Sequence, residues 1–420
     1  MKFKIFSSIF LLFFTFQSFG AYLLVPMDEV NQQNHLKAYG ITYWVLNKDY
    51  KASWLLNYRG GSFLLPDAAE IRKECQIRGV DFEVISEGEM LQIVKEIESP
   101  SQNMEVVPLE KAPKIAVYSP PGKMPWDDAV TMVLTYAEIP FTTIYDTEVL
   151  ADQLLMYDWL HLHHEDFTGQ YGKFFGRYKN TPWYIEQKLE AEALATKLGF
   201  SKVSDAKLAV AKKIRDFVIG GGFMFAMCSA TDSFDIALSA DETDICEPMF
   251  DNDPSDLNYQ SKIDYRNTFA FKDFILERNP NVYEFSDIDM TTKRQIPMEK
   301  DYFSLMEYSA KWDPIPTMLC QNHTQLIKGF MGQTTSFDAK LIKSNVLLMG
   351  VNQINGEARY VHGTKGKGMF TYFGGHDPED YQHLVGDAPT VLDLHPNSPG
   401  YRLILNNVLF PAAKKKKLKT

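Results

Sequence analysis

Residues 217–230 read FVIGGGFMFAMCSA, and residues 369–380 read MFTYFGGHDPED. In the first stretch a glycine triplet ends a helical pattern, the apolar run 223–227 follows as a buried strand, and Cys228 comes at its end, flanked by Ala226, Ser229 and Ala230. The second delivers His376 in the same way, off a strand at 369–373, with Asp377 and Glu379 close behind. Open α/β sheets gather their chemistry at the carboxyl ends of their strands. A thiol, an imidazole and a carboxylate placed there are the ingredients of a thiol acyl-transfer site.

The pattern extends in both directions from these two strands. Upstream, a strand at 115–118 breaks at Pro120-Pro121-Gly122 and gives way to a helix with Asp127 and Asp128 in its first turn, where carboxylates favour the helix dipole. Strands at 141–145 and 160–163 and helices at 181–198 and 205–218 complete a βαβ rhythm, which predicts a parallel sheet covered on both faces. From 247 to 312 the periodicity weakens into an Asp-, Asn- and aromatic-rich stretch, read as an insertion. It returns at 346–351, 359–361 and 369–373, and a helix at 401–409 closes the unit. Residues 21–98 predict a smaller N-terminal α/β domain: a strand at 21–27, a helix at 34–54, a turn at Arg59-Gly60-Gly61, a helix at 68–78 capped by Asp67, a strand at 82–85 and a helix at 87–97. The proline-bearing stretch 99–113 reads as a linker.

The amino terminus looks like a processing signal. Lys2 and Lys4 precede the apolar run 5–16, and Ser18 and Gly20 put small residues where a signal peptidase reads, so residues 1–20 are expected to be removed and the chain to be periplasmic or secreted. Without them the charge is 41 basic (43 less Lys2 and Lys4) against 54 acidic residues, or −13. That balance argues against nucleic acid as a partner, and no later run is long enough to span a membrane. Residues 411–420 form a basic tail. The four cysteines, Cys75, Cys228, Cys246 and Cys320, allow three disulfide pairings in an exported protein, and a Cys228–Cys246 bridge would remove the thiol.

The glycine-ended helix, hydrophobic strand, Cys at a tight turn and later strand ending in a variant of His-Pro-Glu resemble the class I glutamine amidotransferase-like superfamily, over residues 114–410. The resemblance implies a flavodoxin-like sandwich with a parallel sheet, Cys228 as nucleophile, His376 as base and Glu379 as orienting acid. Ala226 and Ala230 stand where the superfamily's elbow has glycines, and Asp377 is inserted before Pro378, so Asp377 competes with Glu379 for the acid's role. Trehalose-utilisation-like branches keep the fold without a working triad. Exported chains of this kind are sometimes labelled asparagine synthetase B. That enzyme type needs a Cys at the mature amino terminus and a Ser-Gly-Gly-x-Asp-Ser loop, and this chain has neither.

His161-Leu162-His163-His164-Glu165-Asp166 ends a strand and enters a loop. Strand alternation puts His161 and His163 on one face and His164 on the other. With His376 these histidines form a candidate zinc-type site, read beside the alternative of histidines hydrogen-bonded under a loop. The resemblance offers a third reading, in which backbone N–H groups around Gly169 complete an oxyanion hole with that of Ser229. The stretch 251–256 is oxygen-rich but lacks the Gly and Glu of an EF-hand, which favours an Asx-rich turn. A loop carrying His383, Asp387, Asp393 and His395 is expected to roof the site.

The leading expectation is therefore an exported thiol-dependent hydrolase or amidase acting on a small polar amide or related carbonyl compound. A non-catalytic binder of a small-molecule ligand on the same fold is the alternative. A metal-assisted hydrolase, or a degenerate glutamine-handling protein, comes third. No cofactor beyond a divalent metal ion is called for.

Overall fold

The computed structural model describes residues 21–122, 126–313 and 315–414. Residues 1–20, read from the sequence as a processing signal, and most of the basic tail lie outside them. Among the described residues the strands form two sheets. The first contains β1 (Ala21–Val25), β2 (Ala52–Leu56), β3 (Phe63–Pro66), β4 (Glu83–Ser86) and β5 (Glu105–Leu109), in the order β4-β1-β3-β2-β5 and antiparallel throughout. The second adds β6 (Ile115–Tyr118), β7 (Thr142–Ile144), β8 (Trp159–Leu162), β9 (Phe223–Met227), β10 (Tyr302–Leu305), β11 (Leu326–Lys328), β12 (Leu347–Asn352), β13 (Ala358–Lys365) and β14 (Gly368–Phe373). Its order is β11-β10-β12-β13-β14-β9-β8-β6-β7. From β14 to β7 all neighbours are parallel, and from β14 to β11 all are antiparallel. The molecule is thus α/β, with a mixed nine-stranded sheet in place of the purely parallel one expected.

All five residues of β9 are buried, as suits a strand covered on both faces. Met27, Tyr39 and Trp54 of the first unit share one apolar cluster with Val117, Phe225, Leu403 and Val408 of the second. Two features join the units. Gly40, in the helix His35–Asn47, lies so close to the helix Ala129–Tyr136 that a Cβ there would sit 1.9 Å from Ala137 O. Arg402, buried on the helix Pro399–Leu409, donates to Tyr39 Oη (3.0 Å), Met27 O (3.4 Å) and Gly60 O.

Four expectations are corrected. The helix read at 34–54 ends at Asn47, and β2 begins at Ala52. The linker 99–113 contains β5, the edge strand of the first sheet. The insertion 247–312 contains β10, which pairs with β11 and β12. Asp67 does not cap the helix Ala69–Arg78 but pairs with Arg72. No described helix is long and apolar enough to cross a membrane.

Candidate functional site

Cys228 stands between β9 and the helix Ser229–Ser239 with φ 52° and ψ −138°. A non-glycine residue held there costs about 1–3 kcal/mol, and such strain gathers at functional sites. The same sharp strand-to-helix turn carries the nucleophile of many hydrolases. The turn is pinned from β8, because Ala230 N–H donates to His163 O (3.0 Å) and Ser229 Oγ to His164 O (2.9 Å). Cys228 Sγ is buried and accepts a hydrogen bond from Gln333 N–H at 3.1 Å. All four cysteines are unpaired, so the Cys228–Cys246 bridge is not formed.

His376 follows β14 and reaches the same place: its ring, Cys228 Sγ, His163 and His164 offer donor atoms within 4.8 Å of one another. The carboxylate hydrogen-bonded to its ring belongs to neither residue expected. Glu379 turns away to His395 Nδ1 (3.1 Å), and Asp377 accepts from Glu379 N–H (2.9 Å). The partner is Asp127, whose Oδ1 accepts from His376 Nε2 at 3.0 Å. That leaves Nδ1 as the nitrogen facing the thiol. Burial opposes a charge on His376, but the hydrogen bonds to Asp127 and Cys228 and their charges outweigh it and lift its pKa to about 10. Burial likewise raises Asp127, and the hydrogen bond and charge of His376, then His383 and His163, bring it below its ordinary value. An imidazolium held beside a sulfur stabilises the thiolate.

A histidine array surrounds this pair. His383 stacks on His376, with centroids 4.5 Å apart, and approaches Asp127 Oδ1 at 3.1 Å, off the hydrogen-bond line. His164 Nε2–H donates to Asp127 O (2.7 Å), and burial holds its pKa well below the ordinary imidazole range. His163 is pushed down to about 4, by burial against Asp128. Its Nδ1 is 3.1 Å from Asp128 Oδ2 but misaligned, which leaves both ring nitrogens without a hydrogen bond. His161 is hydrogen-bonded at both nitrogens, to Phe225 O (3.2 Å) and Asp128 Oδ2 (3.1 Å). His163 and His164 stack at 3.9 Å with planes 10° apart. The side chains whose donor atoms converge at the thiol are Cys228, His376, His163 and His164, and Asp127 with His376 and His383, Asp128 with His161 and His163, and Asp380 with His383 and Asp387 form further groups close enough to share an ion.

Gly169 is corrected too. The Asp166 carboxylate gathers N–H groups of Thr168, Gln170 and Gly172, and the loop packs with Gly169 against Ser204, where a Cβ would meet backbone at 2.7 Å. The backbone donor at the sulfur comes instead from Gln333. Its segment is fixed by Lys173, whose Nζ is buried between Asp232 (2.8 Å), Asp289 (2.7 Å) and Thr334 Oγ1 (2.7 Å). His376 N–H donates to Met331 O (2.9 Å) and Gly375 N–H to Thr334 O (2.8 Å), and Gly332 lies so near Gly375 that a Cβ would stand 2.7 Å from its carbonyl carbon. Burial, with Asp232 nearby, outweighs Lys173 and raises Asp289 to about 6. The sequence marks Asp232 only as a helix-start residue, and nothing local marks Lys173, Asp289 or Gln333. The 251–256 stretch forms an Asx turn, Asp253 N–H on Asp251 Oδ1 (3.0 Å), with Lys202 between Asp244 and Asp253.

Cys228, His376, Trp126, Tyr283 and Gln333 line a cleft of about 380 Å³, within the range of small-molecule sites. No protein-family model and no curated protein matches the chain. Among solved structures it is similar to the cytoplasmic protein STM3548 from Salmonella typhimurium, with 11% identity over 72% of this chain and 100% of that one and a TM-score of 0.34. The cytoplasmic protein STM1381 from Salmonella typhimurium LT2 gives 13% identity, the same coverage and a TM-score of 0.33. Likeness at this level extends to no statement about activity.

Proposed function

We propose that this chain is a thiol-dependent hydrolase of a small polar amide or related carbonyl compound, with Cys228 as nucleophile, His376 as proton carrier and Asp127 as its orienting acid. One observation carries the reading. A thiol residue strained to φ 52° at a strand–helix junction lies within 4.8 Å of an imidazole that is hydrogen-bonded to a partly buried carboxylate. An inert cysteine needs none of these three features. The Cys228 sulfur attacks the carbonyl carbon, and the oxygen takes up the electron pair beside two N–H groups, that of Ser229 at its helix start and that of Gln333. His376 gives its proton to the departing amine as the C–N bond breaks, leaving a thioester. Neutral His376 then takes a proton from water, whose oxygen displaces the sulfur and releases the acid.

Counted from β6, the parallel strands lie in the order 2-1-3-4-5, which flavodoxin-like sandwiches share. That order supports the resemblance to the class I glutamine amidotransferase-like superfamily, with the acid drawn from a different loop. Labelling with iodoacetamide, followed by peptide mapping, tests the reading. Cys228 should react much faster than Cys75, Cys246 or Cys320, and His376→Ala should slow it. Equal, slow labelling of all four would leave a non-catalytic binding protein. Export is part of the same proposal, and mass spectrometry of native protein should find a chain beginning at or near Ala21.

A second reading has its own observation. Two of the imidazoles at the thiol are backed by oxygens, His376 Nε2 by Asp127 Oδ1 and His164 Nε2 by Asp127 O. That is the outer-shell pattern of metal-bound imidazoles. Near-stoichiometric zinc after mild purification, lost in His163→Ala or His164→Ala, would replace the thiol mechanism with a metal-assisted one.

A further inference from the structure

Beyond Trp126, His164 and Phe174 the thiol cleft has a neighbour, a second cavity of about 430 Å³. Those three side chains line both spaces, so the wall between them is one side chain thick. The cavity lies over the carboxyl ends of β6, β7 and β8, between Pro120, Tyr145 and the loop that follows β8, and the helix Pro182–Lys197 closes its far side. There the strand order reverses, β7-β6-β8. Open α/β sheets take ligands in such a crevice.

Its lining has a distinct chemistry. Trp126, Tyr171, Phe174 and Leu194 supply apolar walls, and Glu165, Tyr145 and Lys207 supply a polar end. Lys207 is already committed: its Nζ donates to Tyr118 Oη (2.9 Å), Tyr145 Oη (2.9 Å) and Asp146 Oδ1 (3.0 Å). Asp166 is filled by the N–H groups of its own turn, and Glu190 is exposed at the rim. Glu165 is served far less well. It accepts from Tyr145 Oη at 3.4 Å and stands 4.0 Å from Lys207, although a carboxylate can accept about four hydrogen bonds. The tight turn around Asp166 also holds Tyr171 at φ 58°, an unusual conformation for an aromatic residue, with its side chain lining this space.

We infer that this cavity binds a small organic ammonium ion with an apolar body, its N–H groups on Glu165 and its carbon skeleton against Trp126, Tyr171 and Phe174. Aromatic faces attract cations, and a charge-assisted hydrogen bond to a desolvated carboxylate is stronger than a neutral one. An anionic ligand meets Glu165 as a like charge. A neutral alcohol keeps the hydrogen bond but forfeits the charge.

Calorimetric titration of the full chain with benzylamine, benzyl alcohol and benzoate tests this. Benzylamine should bind saturably at one site, benzyl alcohol more weakly, and benzoate not at all. Glu165→Gln should weaken benzylamine by about tenfold or more, the scale of a lost hydrogen bond to a charged group. Leu194→Trp, which fills the space from a half-buried helix position, should abolish binding while circular dichroism stays unchanged, and this arm stands if Glu165→Gln folds poorly. Cys228→Ala should leave the affinity unchanged, which separates this cavity from the thiol cleft and this inference from the hydrolase reading. No benzylamine binding, binding equal to that of benzyl alcohol, binding indifferent to both cavity variants, or binding lost in Cys228→Ala would each overturn it.

Discussion

Replacing Asp127 with Asn keeps the shape of the acid and removes its charge. The His376 Nε2–Asp127 Oδ1 separation is 3.0 Å, so at an effective dielectric of about 20 the lost attraction is about 5.5 kcal/mol. At about 1.4 kcal/mol per tenfold, that is about four decades in proton affinity. The His376 pKa, held at about 10 in the native protein, should then fall to about 6. At pH 7.5 the imidazolium fraction drops from nearly complete to about one in thirty, and with it the charge that keeps Cys228 reactive. The assay is the rate of iodoacetamide labelling at Cys228, followed by peptide mass spectrometry from pH 5 to 10. Wild type should hold a high rate across neutral pH. Asp127→Asn should be about thirtyfold slower at pH 7.5, by the same arithmetic. Labelling of the variant at the wild-type rate would refute the idea that Asp127 holds the charge on His376.

Burial raises the Cys75 thiol to about 12 and moves Cys246 and Cys320 upward too, so Cys228→Ser should remove the fast-labelled peptide and leave three slow ones. Lys173→Met strands Asp232 and Asp289 as buried, unpaired carboxylates and should cost about 3–5 kcal/mol in urea unfolding; a loss below about 1 kcal/mol would mean the cluster is not the anchor of the Gln333 segment. Gly40→Ala drives a Cβ into Ala137 O and should lower stability by about 1–3 kcal/mol, read as a shifted denaturant midpoint. His35, His163, His323 and His362 are held by burial at about 2, 4, 3 and 3, below the ordinary 6.5, so the unfolded chain binds more protons. Each of these histidines lowers stability by about 1.4 kcal/mol per pH unit below 6.5, and Glu165 and Asp289, raised by burial to about 7 and 6, each give back as much per unit below those values. With four groups against two, stability should fall on balance as pH drops from 6.5 toward 5, and a urea midpoint flat from pH 7 to 5 would contradict it.

The strand ends that present Cys228 and His376 are legible because each follows a largely apolar run with glycine at its border. Other elements hid behind competing signals. β5 carries Pro108 and so resembles linker, yet it is an edge strand, where proline's missing N–H costs no ladder bond. β2 is masked because the apolar pattern of the helix His35–Asn47 runs on past Asp49, whose φ of 62° turns the chain without a glycine or proline to announce it. β10 is four residues of an antiparallel extension inside irregular sequence, too short for its alternation to stand out.

Asp127 shows the limit most plainly. Asp128 is the N-cap of the helix Ala129–Tyr136, its Oδ1 accepting from Thr131 N–H at 2.8 Å, so a dipole reading of the Asp127-Asp128 pair is locally sufficient. What sends the Asp127 carboxylate elsewhere is an imidazole 249 residues away. Acid, base and nucleophile come from the loops after β6, β14 and β9, with β8 between β6 and β9, so the register across these four parallel strands sets their alignment. A base whose acid lay two or three residues behind it would carry its own alignment through any shift of the strands. Here the acid and base meet only if the sheet is in register. Packing changes between β6, β8 and β9, far from the sulfur, should thus alter thiol reactivity before they alter the fold.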